Sequence, residues 1–174
     1  RNTAVGNEAM EETTTGYYNV AVGSNSLESN TTGHSNVAVG INALLNSNGS
    51  QNVAVGGFAL DANTTAANNV AIGYNALTAN TTGAQNIAIG QGAMGSNTTG
   101  TDNCAIGHAA LAGTNTGSGR NNAFGYEALQ DVTTGTQNNA IGFQAGANLT
   151  TGSYNNILGT EAMENSTTAS NCVA

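Results

Sequence analysis

The side chains able to make or break bonds are few in this sequence: ten carboxylates, two histidines and two cysteines among 174 residues. Paired carboxylates are the chemistry of glycoside hydrolysis, one acting as acid and the other as base or nucleophile. Glu8, Glu11, Glu12, Glu28, Asp61, Glu127, Asp131, Glu161 and Glu164 are candidates, but they scatter along the chain without aromatic or basic support. That pattern predicts a solvated acidic edge rather than an active centre. It also lacks the dense alternating Asp residues of a calcium loop. His34 and His108 lie four to five repeats apart and cannot share a metal, so both are expected at the surface. Serine and threonine abound without a histidine–carboxylate partner, so no triad is expected. The glycine-rich corners lack the Gly-Lys-Ser/Thr ending of a phosphate loop. The reading is therefore of a protein that is not an enzyme, with no catalytic residue, metal or cofactor.

What positions all these residues is a repeat. Asn19-Val20-Ala21-Val22-Gly23 returns as Asn36-Val37-Ala38-Val39-Gly40, Asn69-Val70-Ala71-Ile72-Gly73 and Asn86-Ile87-Ala88-Ile89-Gly90. Further copies open at Asn2, Asn52, Asn103, Asn121, Asn138, Asn155 and Asn171, spaced by 16 to 18 residues and mostly by 17. A fixed period means stacked coils, each hydrogen-bonded to the next. The fold class is accordingly all-β, a parallel β-roll or β-solenoid of about ten coils, with residues 1–174 forming one repeat domain. Alternation puts the Val/Ile residues on one strand face and Asn and Ala on the other. Two apolar sets result, and one coil needs only one of them inside. The expectation is a dry Val/Ile interior, with Val20, Val22, Val37, Val39, Val70, Ile72, Ile87 and Ile89 as ladders. Asn19, Asn36, Asn69 and Asn86 are expected to form an amide ladder. The alternative puts the Ala/Asn face inside a very narrow coil and turns Val toward a partner. Either way the spare face predicts an oligomer, for which threefold closure is the natural form.

Small–large pairs such as Ala43-Leu44, Ala76-Leu77 and Ala93-Met94 predict a second short strand meeting the Val/Ile pair. Asn80-Thr81-Thr82-Gly83 and its copies predict a corner. Length changes fall there, in 45–49 and in 114–119, as stacked coils require. Cys104 and Cys172 occupy the second repeat position, four coils apart, and are expected to be inert, buried Val substitutes. Tyr126 and Phe143 share a repeat position one coil apart and should stack. With Tyr74 they are candidates either to bind sugar rings or to fill a seam between chains, the seam being favoured. Asp102 and Arg120 should be neighbours in adjacent coils. Four Asn-Thr-Thr corners match the glycosylation sequon.

Charged residues make up 7% of the chain where about a quarter is usual, and the net charge is −8 with only Arg1 and Arg120 basic. Nucleic acid, which needs clustered Lys and Arg, is excluded as a partner. No apolar run approaches the roughly 20 residues of a membrane helix, so no membrane insertion is expected. The chain opens in mid-pattern with Arg1 and reads as part of a longer fibrous protein.

Asn-Val-Ala-Ile-Gly, followed by Ala-Leu and a Thr-Thr-Gly corner, resembles the repeat of trimeric autotransporter adhesin heads and of phage tail-fibre-like proteins. The resemblance spans the whole chain. It implies a left-handed roll assembled as a homotrimer, extracellular, at a cell surface or on a virion. It implies a non-catalytic shaft or head segment of an attachment fibre, with a host-surface glycan or protein receptor. Competing expectations are an ice-binding β-solenoid and the non-catalytic part of a polysaccharide-binding tail spike. Against ice, the two corner threonines are adjacent, so in a strand only one of each pair faces outward.

Overall fold

The computed structural model describes residues 1–113 and 119–174. Most of the long corner expected at 114–119 lies outside the described residues. The chain is a parallel β-solenoid. Its strands are β1 (Thr3–Val5), β2 (Val20–Val22), β3 (Val37–Val39), β4 (Val53–Val55), β5 (Val70–Ile72), β6 (Ile87–Ile89), β7 (Cys104–Ile106), β8 (Asn122–Phe124), β9 (Asn139–Ile141) and β10 (Asn156–Leu158). They pair in sequence order as one parallel sheet, each residue opposite its repeat equivalent, as in Val70↔Ile87 and Ile72↔Ile89. A further rung begins with the bridge Asn156↔Val173. The one-residue-short and one-residue-long coils leave this register intact, because their length changes fall outside the strands.

The strand faces are reversed from the leading expectation. Ala21, Ala38, Ala71 and Ala88 are fully buried, whereas Val20, Val37 and Val70 are half-buried and Ile72 and Ile87 are exposed. Space decides this. The centre of most coils already receives one large side chain, such as Leu44, Leu60, Leu77 or Leu111, or a methionine, Met10 or Met94; where Gly146 stands instead, Ile157 takes the place of the next strand's alanine and fills the space. Opposite it only a methyl group fits, so alanine from the strand faces in and the branched residues face out. The narrow-coil alternative is the correct one.

Among the described residues the second strand is absent. The residues between strand and corner are consecutive turns in which every other residue has positive φ: Asn75 at 57° and Leu77 at 52°, Asn42 at 57° and Leu44 at 53°. Leu and Met, unbranched at Cβ, tolerate this left-handed backbone at a cost of about 1 kcal/mol or more each. Tight turning repays it by aiming a long side chain at the coil axis. Alternate N–H groups then serve different partners. In one coil Leu27 N donates forward to Ala43 O at 3.0 Å, Asn25 N back to Asn7 O at 2.9 Å, and Ser26 N within the turn to Gly23 O at 3.4 Å.

The first-position asparagines form an unbroken ladder of different wiring from a simple amide stack. Each accepts, at Oδ1, the backbone N–H of the equivalent residue one coil later: Asn69 N to Asn52 at 3.0 Å, Asn86 N to Asn69 at 2.9 Å, Asn121 N to Asn103 at 3.0 Å. Most Nδ2 groups donate to the corner carbonyl, as Asn69 does to Gly83 O at 2.9 Å, whereas Asn103 donates to Thr101 O at 3.0 Å. One side chain thus ties strand, corner and neighbouring coil, and these asparagines are essentially fully buried from Asn19 to Asn155. A second column, Asn63, Asn80 and Asn97, clamps the same corners, with Asn80 Nδ2 also reaching Gly83 O at 2.9 Å. Ser47 interrupts it and is too short to reach back, which leaves Asn30 Oδ1 buried without a partner. Past the 18-residue coil the column becomes apolar, with Val132 and Leu149 fully buried.

Candidate functional site

With alanine inside, the outer sheet face becomes the main surface of the molecule. It carries two parallel columns of side chains. The fourth-position column is apolar from end to end: Val5, Val22, Val39, Val55, Ile72, Ile89, Ile106, Phe124, Ile141 and Leu158. The second-position column is apolar from Val20 to Cys104 and then turns to amide at Asn122, Asn139 and Asn156. Their exposure is substantial: 38% for Ile72, 40% for Ile87, 51% for Ile141. The expected ladder residues are therefore all brought into columns, but the valine and isoleucine ladders face away from the coil. The three outward asparagines chain along the axis, Asn122 Nδ2 to Asn139 Oδ1 at 2.7 Å and Asn139 Nδ2 to Asn156 Oδ1 at 3.1 Å. Beside them Arg120, Gln137 and Tyr154 form the other wall of a shallow polar groove. An apolar hollow closes the face at its far end, over Ile141, Leu158 and Val173.

Cys104 follows this reversal, a free thiol half-buried on the outer face rather than enclosed. Cys172, also a free thiol, does not hold the expected second position: its N–H bonds to Asn155 Oδ1 and Val173 is the residue opposite Asn156, so Cys172 stands in the first-position column and the last repeat opens there, one residue later than Asn171. Partial burial alone pushes the Cys104 thiol pKa up, so it is a weak nucleophile at neutral pH.

The aromatic residues at the sixth position do stack. Tyr126 and Phe143 lie 5.2 Å apart at 12°, and His108 extends the pile at 4.9 Å and 8° from Tyr126. Coil-by-coil alignment of the sequence contains this third member, because His108 is one coil before Tyr126. Ring faces used on one another cannot stack on a sugar, so the pile offers mainly its edges. Tyr74 instead meets Phe58 edge-on at 5.8 Å. His34 is half-buried against Tyr17 at 4.8 Å, and His108 is exposed. Glu127, hydrogen-bonded and close to Tyr126, holds that phenol above its ordinary pKa.

The acids are less scattered than their spacing suggests. Ligand atoms of Glu8, Glu11 and Glu28 lie within 4.8 Å of one another. Glu11 and Glu28 share a repeat position, so the stack brings them together, and Asn25 Nδ2 donates to Glu8 Oε2 at 2.8 Å and to Glu28 Oε2 at 2.5 Å. Two of the three are exposed and no wall surrounds them. Asp102 and Arg120 sit at equivalent positions, but among the described residues no ion pair joins them; Asp102 accepts from Thr101 Oγ1 at 3.1 Å.

At the Thr-Thr corner the first hydroxyl is spent on the coil stack, Thr64 Oγ1 to Thr81 O at 3.0 Å and Thr81 Oγ1 to Thr98 O at 3.1 Å. The second threonine, as at Thr65 and Thr82, is exposed, while the first is half-buried at Thr31, Thr81 and Thr98 but exposed at Thr64, so the first row is uneven and its hydroxyls are tied to the stack. Among the described residues no helix is long and apolar enough to cross a membrane. No family model, no curated protein and no solved structure matches the chain.

Proposed function

We propose that this chain is a rigid, non-catalytic shaft or head segment of an extracellular or virion attachment fibre, assembled as a homotrimer through its outer sheet face. The observation that carries the reading is the two-column apolar face. It exposes on the order of 1,000 Å² of apolar surface, against the few hundred typical of a monomer and the roughly 800 Å² each partner buries in a standard interface. Ten parallel strands in register make it long and regular, and such a face is covered most simply by copies of itself around one axis. Stacked aromatic edges and the acidic cluster then lie outside the two columns, as the surface on which a glycan or protein receptor would be met. An ice-binding role is less well supported, because the first threonine of each corner spends its hydroxyl on the next coil's carbonyl and its exposure is uneven.

Light scattering on the native particle tests this directly. The expected mass is three chains; a monomer would sink the assembly and with it the fibre. Ile72→Asp combined with Ile89→Asp places two charges in the seam. In the separated chain both positions reach solvent, so folding should lose no more than about 1 kcal/mol. Association should weaken by at least about a hundredfold, since unpaired charges would be desolvated. Dichroism and melting would confirm the fold while the mass falls to one chain.

A further inference from the structure

We propose that the outward asparagines Asn122, Asn139 and Asn156 set the axial register between copies of the chain, so that only the aligned assembly is stable. This rests on the seam reading above. The problem it answers comes from the repeat itself. From β2 to β7 the outer columns hold only Val and Ile, with one Cys at position 104. A copy that slides by one coil, about 4.8 Å, exchanges methyl groups for methyl groups and meets almost the same surface. Length changes cannot stop the slide, because they fall outside the strands. Some feature of the face must distinguish one rung from the next.

The amide block is that feature. Three consecutive rungs, β8 to β10, carry asparagine where the earlier rungs carry apolar side chains. Within one chain the amides spend one N–H on the next, from Asn122 to Asn139 and from Asn139 to Asn156. Each primary amide has a second N–H and a second lone pair to spare. In the aligned assembly each asparagine meets its own equivalent at the same level and can exchange those groups. A slip by one coil places Asn122 at the level of a partner's Cys104, its register neighbour in the sheet, and leaves a desolvated amide with a thiol for company. A polar residue in an apolar seam sacrifices stability for register in the same way in coiled coils. The break is abrupt and coincides with the 18-residue coil, after which the inner column also changes character, at Val132 and Leu149.

Cys104 supplies the reporter, since it sits on the face one rung before the block. Two chains of different tag length are co-refolded, both with Cys172→Ser. One keeps Cys104; the other carries Cys104→Val and Ile87→Cys, which moves the thiol one coil along. After mild oxidation, links between like chains report alignment and links between unlike chains report a one-coil slip. With the asparagines present, aligned links should exceed slipped ones by at least about tenfold, the ratio that one tenfold step in an equilibrium constant gives. With Asn122→Val, Asn139→Val and Asn156→Val in both chains the ratio should fall toward one while the particle mass holds. Valine is this column's own residue, so the triple variant retains the fold. An oligomer whose ratio is low to begin with, or is unmoved by the triple substitution, overturns the register role alone. A monomeric particle overturns the seam and the register role together.

Discussion

Asn69→Ala should destabilise the solenoid by about 4 kcal/mol, and the damage should be local to the coils on either side. Asn69 Oδ1 is the acceptor for the buried Asn86 N–H at 2.9 Å, and alanine leaves that donor with no partner. Its Nδ2 bonds to Gly83 O at 2.9 Å and, more weakly, to Asn52 Oδ1 at 3.3 Å would go as well. Gly83 O keeps Asn80 Nδ2, so the corner is loosened rather than released. Orphaning one buried donor costs about 1–3 kcal/mol, and two lost bonds and an amide-sized void add to it. Asn69→Asp separates shape from wiring. The carboxylate keeps the acceptor for Asn86 N–H but offers no hydrogen to Gly83 O or Asn52 Oδ1, and it buries charge unless protonated. It should be at least as damaging as alanine. Amide hydrogen exchange would read the effect, as protection lost at Asn86 and its neighbours while the terminal coils keep theirs. A melting shift worth under 1 kcal/mol would show that the ladder is ornamental.

Gly73→Ala should be comparably harmful, again by about 4 kcal/mol, for a backbone reason. Gly73 has φ of 133°, a conformation open to glycine and closed to residues with a Cβ. A Cβ there would lie 2.6 Å from the carbonyl oxygen of Gly90, directly beneath it in the next coil. That oxygen belongs to the neighbouring backbone and cannot swing aside. Both coils would have to part, and the bond from Gly90 N to Ile72 O, 2.8 Å, would part with them. Gly57→Ala is the matched control. Its backbone is ordinary, and a Cβ would meet only side chains, Ile41 Cγ2 at 3.3 Å and the Tyr74 ring at 3.5 Å. Reduced freedom in the unfolded chain offsets those contacts, so the change should stay within about 1 kcal/mol. If the two variants melt alike, close stacking at the fifth position does not limit stability.

The stack itself was legible because identical residues recur at one period, and only parallel in-register coils use such recurrence. Which face turns inward was not. An alternation of Val and Ala marks two faces without saying which is the core, and the usual preference for burying the larger residue fails where Leu77 and its equivalents already fill the bore. Nor could the turn chain be read. Leu27 or Leu77 at positive φ violates the propensity of the residue, and tertiary packing overrides it. The Glu8, Glu11 and Glu28 cluster and the His108–Tyr126–Phe143 pile were within reach of the sequence. Writing the coils one above another places Glu11 over Glu28 and His108 under Tyr126; reading the acids and histidines along the chain hides it.

Because each coil is bonded only to the coils before and after it, the molecule has a mechanical signature. Tension between its two ends loads the stack one interface at a time, since among the described residues no hydrogen bond spans more than a neighbouring coil. Peeling one coil frees about 17 residues, roughly 60 Å of extended chain, in exchange for about 5 Å of rod. An isolated chain pulled in a force spectrometer should therefore lengthen in near-equal steps of about 55 Å, a ratchet that dissipates work and shortens again as coils re-dock on the remaining template. One collective rupture would mean that the coils fail together. A shaft that yields by measured increments under drag, and keeps its tip attached while doing so, is what such stacking offers a fibre exposed to flow.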